Sequence, residues 1–346
     1  MNILFNNKKK IVFIICTIAV ISTVIIGNYK GDEWEENVRE VLYQLKNDSV
    51  PSYATEFTDS NGIPFVYYAP ENGISAGTKY NPTIVANYAL KYYDALHNDT
   101  TTRKYFFNCV QYLENNFTLK NNAALYYFNW QQPWYPEVKG AFTSGMTSGR
   151  TIDVFTKAFT LTNDSNYLQL AQKLVRGFYI TIQDSGFTYK ENNAWWFEEI
   201  ATPHTTTPHI LDGHIFGILG LQEYDKLTNN DSTKYLIDKG LTALKNKLPF
   251  YDAGNGAIYY DNKKDIADKK YQHILTAQMQ QLWKNTNDST YLHYYNKWSA
   301  PLNRDYTLKV FAEKNISGIT LVFLLFFFMC SILWLLHKIF FSNKQG

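Results

Sequence analysis

Residues 151–178 read TIDVFTKAFTLTNDSNYLQLAQKLVRGF. An apolar-periodic helix over residues 151–161 runs into Asn163-Asp164-Ser165, and Tyr167 then opens a second periodic helix that reaches Phe178. The same grammar occurs three more times. One copy runs from Pro82 through Ile84, Tyr88 and Tyr92 to Asn98-Asp99-Thr100 and on through residues 105–113. Residues 213–227 lead through Asn230-Asp231-Ser232 into 235–244, and residues 274–283 lead through Asn287-Asp288-Ser289 into 291–298. The turns recur after 65, 67 and 57 residues, so the chain repeats a helical hairpin.

Asn, Asp and Ser suit such turns mechanically. Their short side chains tolerate the left-handed conformation that ends one helix, and they cap the free N–H groups that begin the next. A single hairpin is too small for its own core, so neighbours must stack. The predicted fold is all-α: an α/α toroid, or incomplete α/α barrel, of inner and outer helices with short β-hairpins in the connections. The connections over residues 119–147, 180–210 and 247–271 are irregular and aromatic-rich. In this topology they share one rim and the Asn-Asp turns share the other. A site is expected among the connections, at the N-terminal ends of the inner helices.

With 346 residues and 45% hydrophobic content, the chain can bury a sizeable core. Its 33 Lys and Arg balance 31 Asp and Glu and lie scattered, which excludes a nucleic-acid footprint. Cys16 and Cys330 lie in apolar runs and leave Cys109 alone, so no disulfide framework or Cys-based zinc site can be built. The aromatic content is 17%, with 27 Tyr. It suits either an aromatic helical core or a surface that stacks on sugar rings.

Residues 11–26 are uncharged and follow Lys8, Lys9 and Lys10; without a small-x-small cleavage site they read as an uncleaved anchor rather than a signal peptide. Residues 316–336 form a second apolar run ending in His337 and Lys338. With Lys344 also outside that run, the positive-inside tendency puts both termini in the cytoplasm. The expected organisation is a cytoplasmic 1–10, a transmembrane helix 11–27, a stalk 28–80 leading into a toroid 81–305, a transmembrane helix 316–336 and a cytoplasmic tail 337–346. This makes a two-pass membrane protein with lipid as one partner, its catalytic domain extracytoplasmic, and a homodimer left open. Sequons stand at Asn47, Asn98, Asn116, Asn163, Asn230, Asn287 and Asn315. They serve equally as turns or as glycan acceptors.

Several residues invite chemistry. Glu198 and Glu199 follow Trp195-Trp196-Phe197, and a carboxylate pair among aromatic rings is where a raised pKa arises. Asn255-Gly256 between apolar runs predicts a tight hairpin that projects Tyr259 or Tyr260. Tyr271-Gln272-His273 opens the fourth inner helix. His204, His209 and His214 are spaced by five and do not share a helical face, so no metal site is read from them. Trp130, Trp134, Tyr135, Trp195 and Trp196 suit sugar stacking or core packing alike.

Taken in order, Trp196-Phe197-Glu198-Glu199, Leu211-Asp212-Gly213 with the apolar helix to Gly220-Leu221, Leu248-Pro249-Phe250-Tyr251-Asp252, Gly256-Ala257-Ile258-Tyr259 and Tyr271-Gln272-His273 resemble the C-terminal helical domain of the D-glucuronyl C5-epimerases. The resemblance reaches back to Tyr80-Asn81-Pro82 and Phe142-Thr143-Ser144-Gly145-Met146. That family carries Glu-Glu-Tyr and Leu-Asn-Gly where this chain has Glu198-Glu199-Ile200 and Leu211-Asp212-Gly213. Heparan-type members also carry a β-rich region for which this compact, membrane-anchored chain has no room.

The resemblance implies epimerisation at C5 of a hexuronate, of the D-glucuronate to L-iduronate type, in a heparosan-like glycosaminoglycan or other cell-surface or secreted polysaccharide. A proton leaves C5 on one face and another returns on the opposite face, with no redox cofactor and no divalent cation indicated. On the family pattern Glu199 and Tyr271 are the opposed pair and Tyr259 is a relay or enolate donor. Tyr80, Glu198, Trp134, Trp196 and His273 are expected to bind substrate. Arg150 reads either as the partner of the uronate carboxylate or as a surface arginine. The alternatives are a polysaccharide lyase or uronyl hydrolase on the same toroid, and an inactive membrane-tethered glycan-binding protein.

Overall fold

The computed structural model describes residues 2–45, 55–96, 100–203, 205–312 and 314–342. Asn47, Asn98, His204 and Lys344 lie outside them. Two compact units emerge: Tyr53–Leu302, and Met1–Ser52 with Asn303–Gly346.

The second unit holds α1 (Asn2–Leu45) and, from the C-terminal stretch, a short helix Tyr306–Ala312 and a long one Ile316–Ser342. Lys9–Glu35 and Ile316–Ile339 are long and apolar enough to cross a membrane. Glu35 ties the two long helices: it accepts hydrogen bonds from the Tyr306 hydroxyl (2.9 Å) and the Asn315 amide (2.7 Å). Gly27 and Gly31 make room for the Tyr306 ring, which a Cβ at Gly31 would meet at 2.6 Å. The Asn315 amide is therefore engaged within the protein.

Residues 53–302 begin with an antiparallel sheet of β1 (Thr55–Thr58), β2 (Pro64–Tyr68) and β3 (Gly77–Lys79). The stretch read as a stalk, 28–80, thus contains helix and sheet. Four hairpins follow. They are α2 (Pro82–Asp94) with α3 (Thr100–Asn115), α4 (Gly145–Thr162) with α5 (Ser165–Gly177), α6 (Leu211–Thr228) with α7 (Asp231–Tyr251), and α8 (Lys269–Thr286) with α9 (Ser289–Ser299). The inner helices pack in chain order α2, α4, α6, α8, each against its outer partner. This is the α/α toroid expected from the repeat.

The turns obey the capping rule, with one slip of register. Asn163 and Asn287 end α4 and α8 in the left-handed region (φ 58° and 55°), and Asp164 and Asp288 cap α5 and α9. In the third hairpin the left-handed residue is Asn229 (φ 49°), and Asn230 takes the capping role by accepting from Thr233 N–H. The connections carry two-stranded antiparallel sheets, two in the first and one in each of the others. These are β4 (Thr118–Lys120) with β5 (Ala123–Leu125), β6 (Tyr127–Phe128) with β7 (Phe142–Thr143), β8 (Thr188–Glu191) with β9 (Ala194–Phe197), and β10 (Asp252–Gly254) with β11 (Ala257–Ile258).

Trp298, Tyr126, Tyr251, Tyr291 and Phe106 are among the largest fully buried side chains, so much of the aromatic content is core. Between α4 and α6 the contact is backbone on backbone. A Cβ at Gly149 would lie 2.4 Å from the Phe216 carbonyl oxygen, and one at Gly220 would lie 2.0 Å from the Gly149 oxygen. No side chain larger than hydrogen fits at either position.

Candidate active site

The first turns of α4, α6 and α8, one face of α2 along its length, and strands β1 and β2 line one cavity of about 780 Å³. Among the described residues, none of the Asn-Asp turns lines it. β9 carries the chain into it: Trp195, Trp196 and Phe197 are buried, Glu198 N–H bonds Phe187 O (2.9 Å), and Gly145 N–H bonds Glu198 O (2.7 Å). This fixes the strand end against the start of α4. Successive side chains of an extended strand point to opposite sides, so Glu198 and Glu199 part company here.

Glu198 is fully buried away from the cavity, where it accepts from the Thr207 hydroxyl (2.6 Å) and His209 N–H (3.2 Å) and contacts the His209 ring. Glu199 lines the cavity instead. It lies against α6 where Gly213 leaves room, since a Cβ there would sit 2.6 Å from Glu199 Oε2. That oxygen is enclosed and has no hydrogen-bond partner. Burial, and next the charge of Asp212, push the Glu199 pKa well above the usual carboxylate range.

Asp212 is the residue that sequence reasoning passed over. It occupies the first turn of α6, is 1% exposed and keeps Oδ1 unpartnered. Burial raises its pKa to about 7, against the pull of its own and Gly213's backbone N–H groups, the Tyr260 hydroxyl and the Lys270 ammonium. Its signal was present in the sequence as Leu211-Asp212-Gly213, a carboxylate where the resembled family carries Asn.

Tyr271 lines the cavity from the first turn of α8, its N–H capped by Asp268 (2.9 Å). Its ring lies 4.4 Å from that of Tyr260. Both phenols are raised by burial and then by the charges of Asp212 and Glu199, so both keep their protons. Tyr259 does not line the cavity. Its ring packs beside Phe250 and Lys264, and the hairpin projects Tyr260 inward in its place. The Tyr260 carbonyl also accepts the first N–H of α6 (3.0 Å), which joins this hairpin to the helix that carries Asp212.

Arg150 lines the cavity and is not a free surface residue. Its Nε donates to Asn87 (2.7 Å), it lies over the Phe216 ring, and burial lowers its pKa. Trp134 also lines the cavity, edge-on to Tyr68. The remaining expected residues face elsewhere. Tyr80 is exposed and donates to Asp59 (3.2 Å), Trp196 is buried in a stack on His214, and His273 is exposed on α8. His214 is locked by Phe197 N–H and the Gly240 carbonyl, and burial lowers its pKa to about 3, so it stays neutral. Among the described residues no cluster of three metal-ligating side chains occurs.

Ile200, in place of the family tyrosine, is buried on the cavity wall. Hydroxyls reach the space from other elements. Tyr68 arrives from β2, accepts from Asn81 (2.6 Å) and is pushed up to about 12 by burial. Tyr135 is held by Asp261 (3.0 Å). Two carboxyl groups with unpaired oxygens and several protonated phenols therefore share one enclosure, a set suited to moving protons on and off carbon.

An α/α toroid with an acid/base floor at one rim defines a class of carbohydrate-active folds. The structure is similar to that of cellobiose 2-epimerase from Bacillus thermoamylovorans, with a TM-score of 0.51 at 11% identity over 83% of this chain and 74% of that one, a likeness of fold. The D-glucuronyl C5-epimerase C-terminus family matches residues 120–300, and the chain belongs to that family. It is 31% identical to the D-glucuronyl C5-epimerase of Caenorhabditis elegans over 186 residues, 50% of this chain and 28% of that protein. It is also 31% identical over 175 residues to an uncharacterized protein of Methanocaldococcus jannaschii, 49% of this chain and 56% of that protein. The matched segments thus span only part of either relative.

Proposed function

We propose that the protein epimerises hexuronate residues of a polysaccharide at C5. The observation that carries this reading is the single enclosure of Glu199, Asp212, Tyr260 and Tyr271. The ionised member of the Glu199–Asp212 pair takes the C5 proton, and the electron pair moves into the uronate carboxylate as an enolate. Arg150 is the forked cation suited to that carboxylate. Tyr271 returns a proton to the opposite face. Tyr260, with its ring 4.4 Å from that of Tyr271 and its phenol under the charge of Asp212, then relays a proton from the carboxyl side back to the Tyr271 phenolate, so the site resets without a cofactor.

The two long apolar helices tether the domain to a membrane, both termini on the cytoplasmic side. Their pairing at Glu35 and Asn315 and their basic flanks support this. Protease added to intact cells should spare a tag on the C-terminus, and its digestion would refute the topology. For the chemistry, the full chain in detergent is incubated with glucuronate polymers in deuterated water and read by NMR at C5. Deuterium at C5 with unchanged chain length supports epimerisation. Ultraviolet-absorbing shortened products indicate a lyase instead, and absence of exchange on every uronate polymer removes the proposal.

A further inference from the structure

Strand β9 has a second side. Side chains alternate along it, so Trp196 and Glu198 point away from the cavity that Glu199 lines. There another cavity, of about 370 Å³, lies between the β8–β9 hairpin and the C-terminal half of α7, and among the described residues none lines both. Its size falls within the range of small-molecule sites, about 300–1,000 Å³.

Aromatic rings wall this cavity. Trp196 is stacked with Tyr251 (5.8 Å), and the His209 ring stands edge-on to Trp196 (5.6 Å) and to the exposed Tyr189 (5.3 Å). His209 is held by several means at once. Its backbone is left-handed (φ 47°), its carbonyl accepts from the Tyr251 hydroxyl, and its Nδ1 contacts the fully buried Glu198. A left-handed histidine and a carboxylate withdrawn from water are each unfavourable alone, and together they fix one imidazole at the edge of the cavity. An ionised carboxylate only accepts, so Nδ1 carries the hydrogen, and the neutral ring, 22% exposed, offers Nε2 as an acceptor. Trp196 supplies an enclosed indole N–H without a partner, and Asn192, Thr242 and Asn246 add neutral amide and hydroxyl groups.

The charges around this cavity are matched. Glu191 faces Lys247 (4.0 Å), Glu198 has His209, Lys239 is bonded to Asn193 and stands 3.9 Å from Asp238, and Lys190 lies over the Trp195 ring (3.9 Å). A charged ligand finds no unmatched opposite charge here. A ring with an apolar face and several hydroxyls fits the bare Tyr189 ring, the imidazole acceptor and the amides.

We propose that this cavity is a second carbohydrate site, distinct from the cavity of Glu199 and Asp212, and that it takes one neutral pyranose ring. The sugar lies against Tyr189, donates a hydroxyl to His209 Nε2 and bonds the amides of Asn192 and Asn246 with others. Its source is either a free saccharide or a unit of a polysaccharide.

The test uses the full-length protein in a detergent without a sugar headgroup, followed by saturation-transfer NMR and calorimetry. The probes are methyl glucopyranoside and methyl N-acetylglucosaminide, both neutral, with methyl glucuronide and methyl glucosaminide as charged counterparts. Both neutral probes should bind. The double variant Tyr189→Ala, Asn246→Ala, at two exposed positions, should weaken them by about tenfold or more and leave the charged probes as in the parent. Asn246→Ala alone should weaken them by about threefold and decides the matter if the double variant melts early. Glu199→Gln should keep the parent's affinity for the neutral probes. Failure of both neutral probes to bind, binding that survives these variants, an equal loss for the charged probes, or a loss with Glu199→Gln overturns the site. A long uronate polysaccharide then separates the sources: lower affinity in the double variant assigns a unit of the polymer, and unchanged affinity assigns a free saccharide. None of these readings requires C5 exchange, so the epimerase reading and the second site stand or fall separately.

Discussion

The two rims of the toroid are built from the same residue types used in opposite ways. At the turn rim, carboxylates are satisfied. Asp164 accepts from Asn166 N–H (2.9 Å), and Asp288 accepts from Thr290 N–H (2.9 Å) and pairs with Lys245. At the cavity rim Glu199 and Asp212 keep enclosed oxygens without partners and have raised pKa values. Polar groups that stabilise the fold are paired, and those poised for chemistry are held short of a partner. The contrast can be broken or sharpened by substitution.

The largest effect is expected from Glu199→Gln or Tyr271→Phe. Each should lower C5 exchange by ~10²–10⁴-fold with the melting transition in place, and near-parental exchange in both would remove these residues from the chemistry. Next comes Gly213→Ala. Its Cβ would lie 2.5 Å from that of Glu199, and displacing a catalytic group by about 1 Å costs on the order of 10²-fold, with kcat falling more than KM rises.

Asp212→Asn should act in opposite directions on stability and activity. The folded pKa of Asp212 is raised to about 7 from 3.8, so the parent loses stability as pH rises from about 4 through about 7. The variant lacks that slope and should be more stable by about 4 kcal/mol at pH 8, as read by denaturant titration at about pH 4 and at pH 8. Removing the neighbouring charge should also shift the acidic limb of any remaining exchange activity to lower pH. The smallest effect belongs to the other rim: Asp164→Ala should cost about 1 kcal/mol of stability and leave kcat/KM unchanged. A loss of activity there would mean the two rims are coupled.

Local grammar made the hairpins legible, because a cap and a left-handed residue are specified by a few adjacent side chains. The one-residue slip at Asn229 and Asn230 shows the limit, since two adjacent asparagines offer two registers and helix packing chooses. The sheet β1–β3 was not legible as part of the toroid, although Tyr68 and Glu56 reach the cavity from it. Glu199 and Tyr271 are legible from their motif, and both line the cavity. Glu198 went elsewhere because strand alternation reverses direction at each residue, and the same parity turned Tyr260 inward rather than Tyr259. Asp212 was missed because an acid in a first helical turn is commonplace. Only its enclosure beside Glu199 makes it unusual, and enclosure is a tertiary property.

The glycine contact between α4 and α6 bears on how this protein could be changed. Arg150 follows Gly149 directly, and Asp212 lies on the same helix as Gly220, so backbone touching backbone holds the guanidinium and the carboxylate at one spacing. With no side chain between them at that contact to repack, the two helices have little scope to slide, and the proposed inversion at C5 would take place above a stationary floor. Accommodation is then left to the β-hairpins of the connections. For an engineer the helix pair is a chassis: exchanging the loops bolted to it should retune which glycan enters while the proton chemistry stays where it is.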